Sequence, residues 1–162
     1  MSVLRGFRVP LVTGRVKIRA YTDASIRQSK GGIGVHGIAN GFSARVAERR
    51  DINRIELAAI FCGLYLADTE SDLYMFSDSQ TALHSITSFK RTKYDKLARF
   101  VIEFAEERVG SVFVAKVKAH SGNEGNDAAD RLAKLGTISQ NEFIMPDEFS
   151  SLDEWRSYVS LR

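Results

Sequence analysis

The chain reads as an α/β protein built on a mixed sheet, three antiparallel strands followed by two parallel ones, with helices on its flanks. Three observations predict this. The first third alternates apolar and polar residues and is rich in β-branched and aromatic side chains. From Asn53 onward, segments of helical periodicity alternate with short apolar runs. The turn-prone Asn40-Gly41 falls between two of the early strand patterns, as a hairpin requires. The resulting order βββαβααβα implies a meander and then two crossover units, each right-handed where the joined strands are parallel.

Residues 16–23, VKIRAYTD, predict the opening strand, ending at Asp23. GGIGVHGIA (31–39) and FSARVAE (42–48) predict the next two. Residues 53–67 follow as a helix, LYMFS (73–77) as a short buried strand, and residues 79 to about 89 as a second helix. Residues 92–108 carry Leu97, Phe100, Val101, Phe104 and Ala105 at helical spacing. VFVAKVKA (112–119) predicts the fifth strand, and residues 126–135 a core helix stopped by Gly136. Outside this domain of residues 16–137 stand two extensions. Residues 1–15 have no acid and carry Arg5, Arg8 and Arg15, a bias shared with mitochondrial presequences. The segment LRGFRVPLVTGRV is short and holds Pro10 and Gly14, which favours an extension leading into the first strand. Residues 138–162 contain a capping box at Ser151 and Glu154, with Leu152, Trp155 and Val159 on one helix face that would dock on the domain.

A chain of 162 residues with 44% hydrophobic and 27% charged content fits one soluble globular domain. Its single cysteine, Cys62, lies in the apolar run IFCGLYLA, so no disulfide framework exists. That usage points to a reducing intracellular compartment, cytoplasm or nucleus, with the mitochondrion left open by the basic start. No apolar stretch reaches the length of a membrane span.

Four acids stand out against this background: Asp23 in YTDAS, Glu56 in NRIELAAI, Asp78 in FSDSQ and Asp130 in HSGNEGNDAAD. Glu56 is the only charged residue between Ile55 and Ala67, in a helix otherwise made for burial. An isolated carboxylate there is costly unless compensated. Mg²⁺, a hard cation that prefers oxygen ligands, is a natural compensation. Acid clusters holding two such ions cleave phosphodiesters. Taken singly, Asp23 also fits a turn, Asp78 a helix cap and Asp130 a solvated helix face.

Together, in this order, the motifs resemble type 1 ribonuclease H over roughly residues 16–136. Thr22-Asp23-Ala24-Ser25 is similar to the family's T-D-G/A-S motif, Asn53 to Glu56 to its N-x-x-E, and Ser77-Asp78-Ser79 to its T/S-D-S. His120, Ser121, Gly122, Gly125, Asn126, Ala129 and Asp130 match H-S-G-x-x-G-N-x-x-A-D, the most specific of the four. The resemblance implies the ribonuclease H-like five-stranded mixed sheet and cleavage of the RNA strand of RNA–DNA hybrids to 3′-hydroxyl and 5′-phosphate ends. It implies two Mg²⁺ ions, replaceable by Mn²⁺, on Asp23, Glu56, Asp78 and Asp130, with His120 assisting proton handling or product release. Asn53, Gln80 and Asn126 would meet the hybrid, whose 2′-hydroxyls are reachable in the minor groove.

Departures from the family accompany the match. Ala24 takes a glycine position, and ASIRQSK replaces a longer glycine-rich loop. Asp51 stands where several members bind a DNA-strand phosphate through threonine, so Arg49 or Arg50 would have to compensate. In place of a long tryptophan- and lysine-rich extension there is FKRTKYDKLAR, whose Lys90, Arg91, Lys93, Lys96 and Arg99 offer a phosphate-binding patch. These cations oppose the dipole of the helix they begin. The resemblance fits a monomer or a domain of a reverse-transcriptase polyprotein. Two other readings share the four acids: an integrase- or resolvase-like DNA nuclease, and a nonenzymatic hybrid-binding module.

Overall fold

The computed structural model describes residues 4–6, 14–88 and 92–161. The five expected strands are present as β2 (Lys17–Arg27), β3 (Lys30–His36), β4 (Phe42–Val46), β5 (Asp72–Ser77) and β6 (Val112–Lys116). A short strand, β1 (Leu4–Gly6), adds to one edge, giving the order β1-β6-β5-β2-β3-β4. β2, β3 and β4 pair antiparallel, while β5 pairs parallel with β2 and with β6. The helices are α1 (Ile52–Leu66), α2 (Gln80–Thr87), α3 (Asp95–Glu106), α4 (Glu124–Gly136) and α5 (Leu152–Ser160), with a 3-10 turn at Pro146–Glu148. No helix among the described residues is long and apolar enough to cross a membrane.

One boundary differs from expectation in a way that matters. β2 does not stop at Asp23 but runs on to Arg27, because Gln28 and Ser29 both adopt positive φ (52° and 57°) and close a tight two-residue turn. Such turns match the right-handed twist of the flanking strands. The segment expected to be a shortened loop is therefore strand and hairpin. The next turn involves Gly37 (φ 102°), Ala39 (φ 52°) and Gly41 (φ 88°), so the bend begins before Asn40-Gly41.

Alternation along β3 sends neighbouring residues to opposite faces. A Cβ on Gly31 would meet Ile55 of α1, whereas Cβ atoms on Gly32 and Gly34 would strike the backbone of α4. The sheet is thus covered by α1 on one face and α4 on the other. At Gly34 the added carbon would lie 2.4 Å from both Ala129 O and Ala133 N. Only glycine lets α4 lie this close to the sheet.

The start of α1 is fixed by charge. Asp51 is its cap, accepting from the amides of Asn53 (3.1 Å) and Arg54 (3.3 Å). Just before it, Glu48 Oε2 accepts from three successive amides, those of Arg49, Arg50 and Asp51. Its other oxygen takes Arg54 Nη1 at 2.9 Å. Arg54 in turn grips Asp147 with two parallel bonds of 2.9 and 2.8 Å, tying the C-terminal segment to α1. Phe143, Met145, Leu152 and Trp155 of that segment are buried in the main core. Trp155 meets Phe61 edge-on at 5.0 Å and donates its indole N–H to Ile144 O. Ser151 caps α5 through the Glu154 amide at 3.1 Å.

Both supports can be tested by unfolding. Gly34→Ala would force α4 away from β3, with an expected loss of about 1–3 kcal/mol in urea unfolding; an unchanged midpoint would show that the helix is not seated there. Glu48→Gln should cost about 1–2 kcal/mol at neutral pH through its weakened charge-assisted bonds. Burial raises the Glu48 carboxyl, but the Arg50 amide and the Arg54 guanidinium prevail and lower it from 4.5 to about 2. Its stabilisation is therefore present above pH 4.5 and lost as pH falls toward 2. The gap between wild type and variant should close over that window, and a gap constant with pH would refute the assignment.

Candidate active site

The parallel ladder between β2 and β5 ends at the pair Thr22–Ser77. Asp23 and Asp78 are the residues immediately beyond that pair, at the carboxyl end of the parallel strands, where open α/β sheets form their crevices. Asp23 continues within β2 and pairs with Gly34. Asp78 leaves β5 and precedes α2. The cap of α2 is Ser79, whose Oγ accepts the Ala82 amide at 3.1 Å, so Asp78 is not needed as a cap. Glu56 arrives from the second turn of α1, which Asp51 starts at Ile52.

Carboxylate oxygens of Asp23, Glu56 and Asp78 all lie within 4.8 Å of one another. The backbone amide of Ala24 serves two of them, donating to Asp23 Oδ1 at 2.9 Å and to Glu56 Oε1 at 3.2 Å. Glu56 Oε2 is buried and meets no donor among the described residues. Burial raises the Asp23 carboxyl from 3.8 to about 6, with the Asp78 and Asp130 charges adding and the Glu56 and Ala24 hydrogen bonds opposing. Burial, then the Asp23 charge, pushes Glu56 well above the ordinary glutamate range. Three hard oxygen donors, one of them buried without a partner, fit a divalent cation.

Asp130 stands beside this group on α4. Its charge reaches Asp23, but its own Oδ2 is engaged by Lys134 Nζ at 2.9 Å, one helical turn on. Asn126, expected to meet substrate, faces inward instead. It is only 3% exposed, and its Nδ2 donates to Asp78 Oδ2 at 3.3 Å, which orients that carboxylate. His120 is exposed on the loop between β6 and α4, with positive φ (54°). Asn53 is half-buried at the second position of α1, and Gln80 is exposed as the first residue of α2.

The compensation at Asp51 comes from elsewhere than expected. Tyr94 OH donates to both carboxylate oxygens (2.9 and 3.0 Å), and Lys93 Nζ lies 3.4 Å away. Arg49 and Arg50 are exposed and contribute their backbone amides to Glu48 instead. Lys90 and Arg91 lie outside the described residues; Lys93, Lys96 and Arg99 are exposed. The unfavourable cations at the start of α3 are offset by Asp95, which accepts the Thr92 amide at 2.7 Å. Lys134 is a participant that the sequence motifs do not mark; its i,i+4 spacing from Asp130 is the available signal.

A family model described as RNase H matches residues 15–138, well over half of the chain. Among solved structures 259 chains match. One is RNase H1 from the halophilic archaeon Halobacterium salinarum NRC-1, at a TM-score of 0.58 and 22% identity, over 74% of this chain and 96% of that one. No curated protein sequence matches. With the mixed sheet, the acidic cluster at its open end and a family match spanning the whole domain, the chain belongs to the ribonuclease H family and is in kind a ribonuclease H, a nuclease of RNA–DNA hybrids.

Proposed function

We propose that the protein is a metal-dependent endonuclease that hydrolyses the RNA strand of RNA–DNA hybrids to 3′-hydroxyl and 5′-phosphate products. The observation that carries this reading is the convergence of Asp23, Glu56 and Asp78, one of whose carboxylate oxygens, Glu56 Oε2, is buried without a donor among the described residues. Asp23, Glu56 and Asp78 would hold two Mg²⁺ ions together with Asp130, and Mn²⁺ offers the same preference for oxygen ligands. When bound, the ions supply an activated water and neutralise charge developing on the phosphate.

The side chains prepare that chemistry. Asp23, central to the cluster, keeps one oxygen on the Ala24 amide and so holds a fixed orientation. Asn126 holds Asp78 through its amide N–H. Lys134 compensates Asp130, a charge it can release to a stronger cation by rotating a flexible stem. His120, on its exposed loop, would assist proton handling or product release. Asn53 and Gln80 begin the two helices that border the cluster and would test the minor groove for 2′-hydroxyls. Lys93, fixed by Asp51, and Arg49 would attend the phosphates beside them.

The metal site predicts a thermal signature. Millimolar Mg²⁺ should raise the unfolding midpoint of the wild type by a few degrees, since a ligand at 100 times its Kd stabilises by about 2.7 kcal/mol. Asp23→Asn should match or exceed the metal-free wild type, because it relieves repulsion, yet lose the Mg²⁺ response and turnover together. An Asp23→Asn variant that keeps either would remove Asp23 from the metal site.

Substrate choice is tested by strand-specific cleavage of matched hybrid, double-stranded RNA and duplex DNA in Mg²⁺ at one salt concentration. The RNA strand of the hybrid should be cut internally, at least tenfold faster than either uniform duplex. Equal cutting of duplex DNA would favour the integrase- or resolvase-like reading, and metal-saturated binding without turnover would favour a hybrid-binding module.

A further inference from the structure

Beyond the metal cluster, β2 continues to the Gln28–Ser29 turn while α4 runs alongside it, packed on Gly32 and Gly34. Between the hairpin tip and the end of α4 lies a groove of about 450 Å³, lined by Arg27, Lys30, Arg131, Lys134, Leu135 and Ile138 among others. No carboxylate among the described residues lines it. Arg27, Lys30 and Arg131 are exposed and have no ion-pair partner among the described residues. Arg45, Arg54, Lys93 and Arg156 are each neutralised by a carboxylate. Other exposed cations such as Arg49, Lys96 and Arg99 also lack an ion pair among the described residues, but the groove gathers three such cations around one concavity. Three uncompensated cations around one concavity mark a surface built for an anion that the chain does not itself provide.

We infer that this groove binds the sugar–phosphate backbone of the substrate duplex on the side of the cleavage site toward the β2–β3 hairpin. The inference rests on the proposed nuclease function and extends it to residues with no part in the metal cluster. Continuity favours nucleic acid over an acidic peptide. Arg131 directly follows Asp130 on α4, and Arg27 is four residues beyond Asp23 on β2, roughly 13 Å at strand spacing. A duplex carries about one phosphate per 3.4 Å of axis on each strand, so that reach spans roughly four phosphates. A duplex lying over the cluster and along this direction brings its backbone to the groove. The exposed Leu135 and Ile138 give the groove an apolar floor for the carbon edges of the sugars.

The test measures hybrid binding by fluorescence anisotropy in Ca²⁺ across a salt series, so that no turnover is required. Wild type is compared with Arg27→Ala/Lys30→Ala/Arg131→Ala, whose altered side chains are all exposed. The triple variant should bind a hybrid of about 20 base pairs at least tenfold more weakly at moderate salt. Its log–log salt slope should be shallower by about 0.9 for each phosphate that the variant no longer neutralises. Exchanging the same positions as Arg27→Lys/Lys30→Arg/Arg131→Lys should restore most of the slope, because point charge is what binding to a backbone phosphate requires. Trimming the hybrid from one end, and not from the other, should abolish the difference between wild type and the alanine variant. An unchanged slope in the alanine variant overturns the proposal, as does a loss indifferent to which end is trimmed. An acidic peptide that binds the groove while hybrid affinity stays intact overturns it in favour of a protein partner. Failure of the wild type to bind hybrid at all would instead refute the proposed nuclease function.

Discussion

The amide of Ala24 donates to Asp23 and to Glu56 at once, and much of the architecture serves to make that shared bond possible. Carboxylates repel, and burial raises the cost of their charge. One N–H offsets a small part of that cost, so the rest of the fold must hold the oxygens together by force of packing. β2 has to outrun β5 so that Ala24 lies free of the parallel ladder. α1 has to begin at a set point so that its second turn presents Glu56, and the Asp51 cap with the Glu48–Arg54–Asp147 array sets that point. α4 has to lie against bare backbone at Gly32 and Gly34 so that Asp130 comes within electrostatic reach of Asp23.

Charge is managed differently across the molecule. Toward the C-terminal segment the strong cations serve the fold: Arg54 joins α1 to Asp147, and Arg156 of α5 meets Glu107 past the end of α3. Arg108 is 1% exposed and is held by the carbonyls of Ala67, Asp68 and Ser71, so its charge is solvated by peptide dipoles. At the open end of the sheet the balance reverses. Acids there are gathered without enough cations, and Arg27, Lys30 and Arg131 on the hairpin groove stand without acids among the described residues. Both imbalances suit the proposed action on a polyanion through bound metal ions, in which metal would offset the first and phosphate the second.

Much of this is legible in the chain because it depends on local rules. Alternation and β-branched content mark the strands, helical periodicity marks α1, α3 and α4, and Ser151 caps α5 as expected, although the Glu154 carboxylate takes the Ser150 hydroxyl in place of the reciprocal bond of a capping box. The four acids stand out because Glu56 has no place in an apolar helix face unless something binds it. What misleads is also local. The stretch from Ser25 through Arg27 into the Gln28-Ser29 turn has the composition of a loop, and only pairing with β3 makes its first part, up to Arg27, a strand.

The sequence by itself determined which residues could do chemistry and in what order the elements come, because residue type and periodicity are properties of neighbours along the chain. Only the tertiary structure decided how those residues divide their work. Asn126 turns inward to Asp78, and Tyr94 with Lys93 answers Asp51 from a distant part of the chain. Such partnerships are set by which oxygen lies nearest which donor after packing, at hydrogen-bond distances of about 3 Å. No pattern along a single chain encodes a distance of that kind between segments that meet only when the sheet has formed.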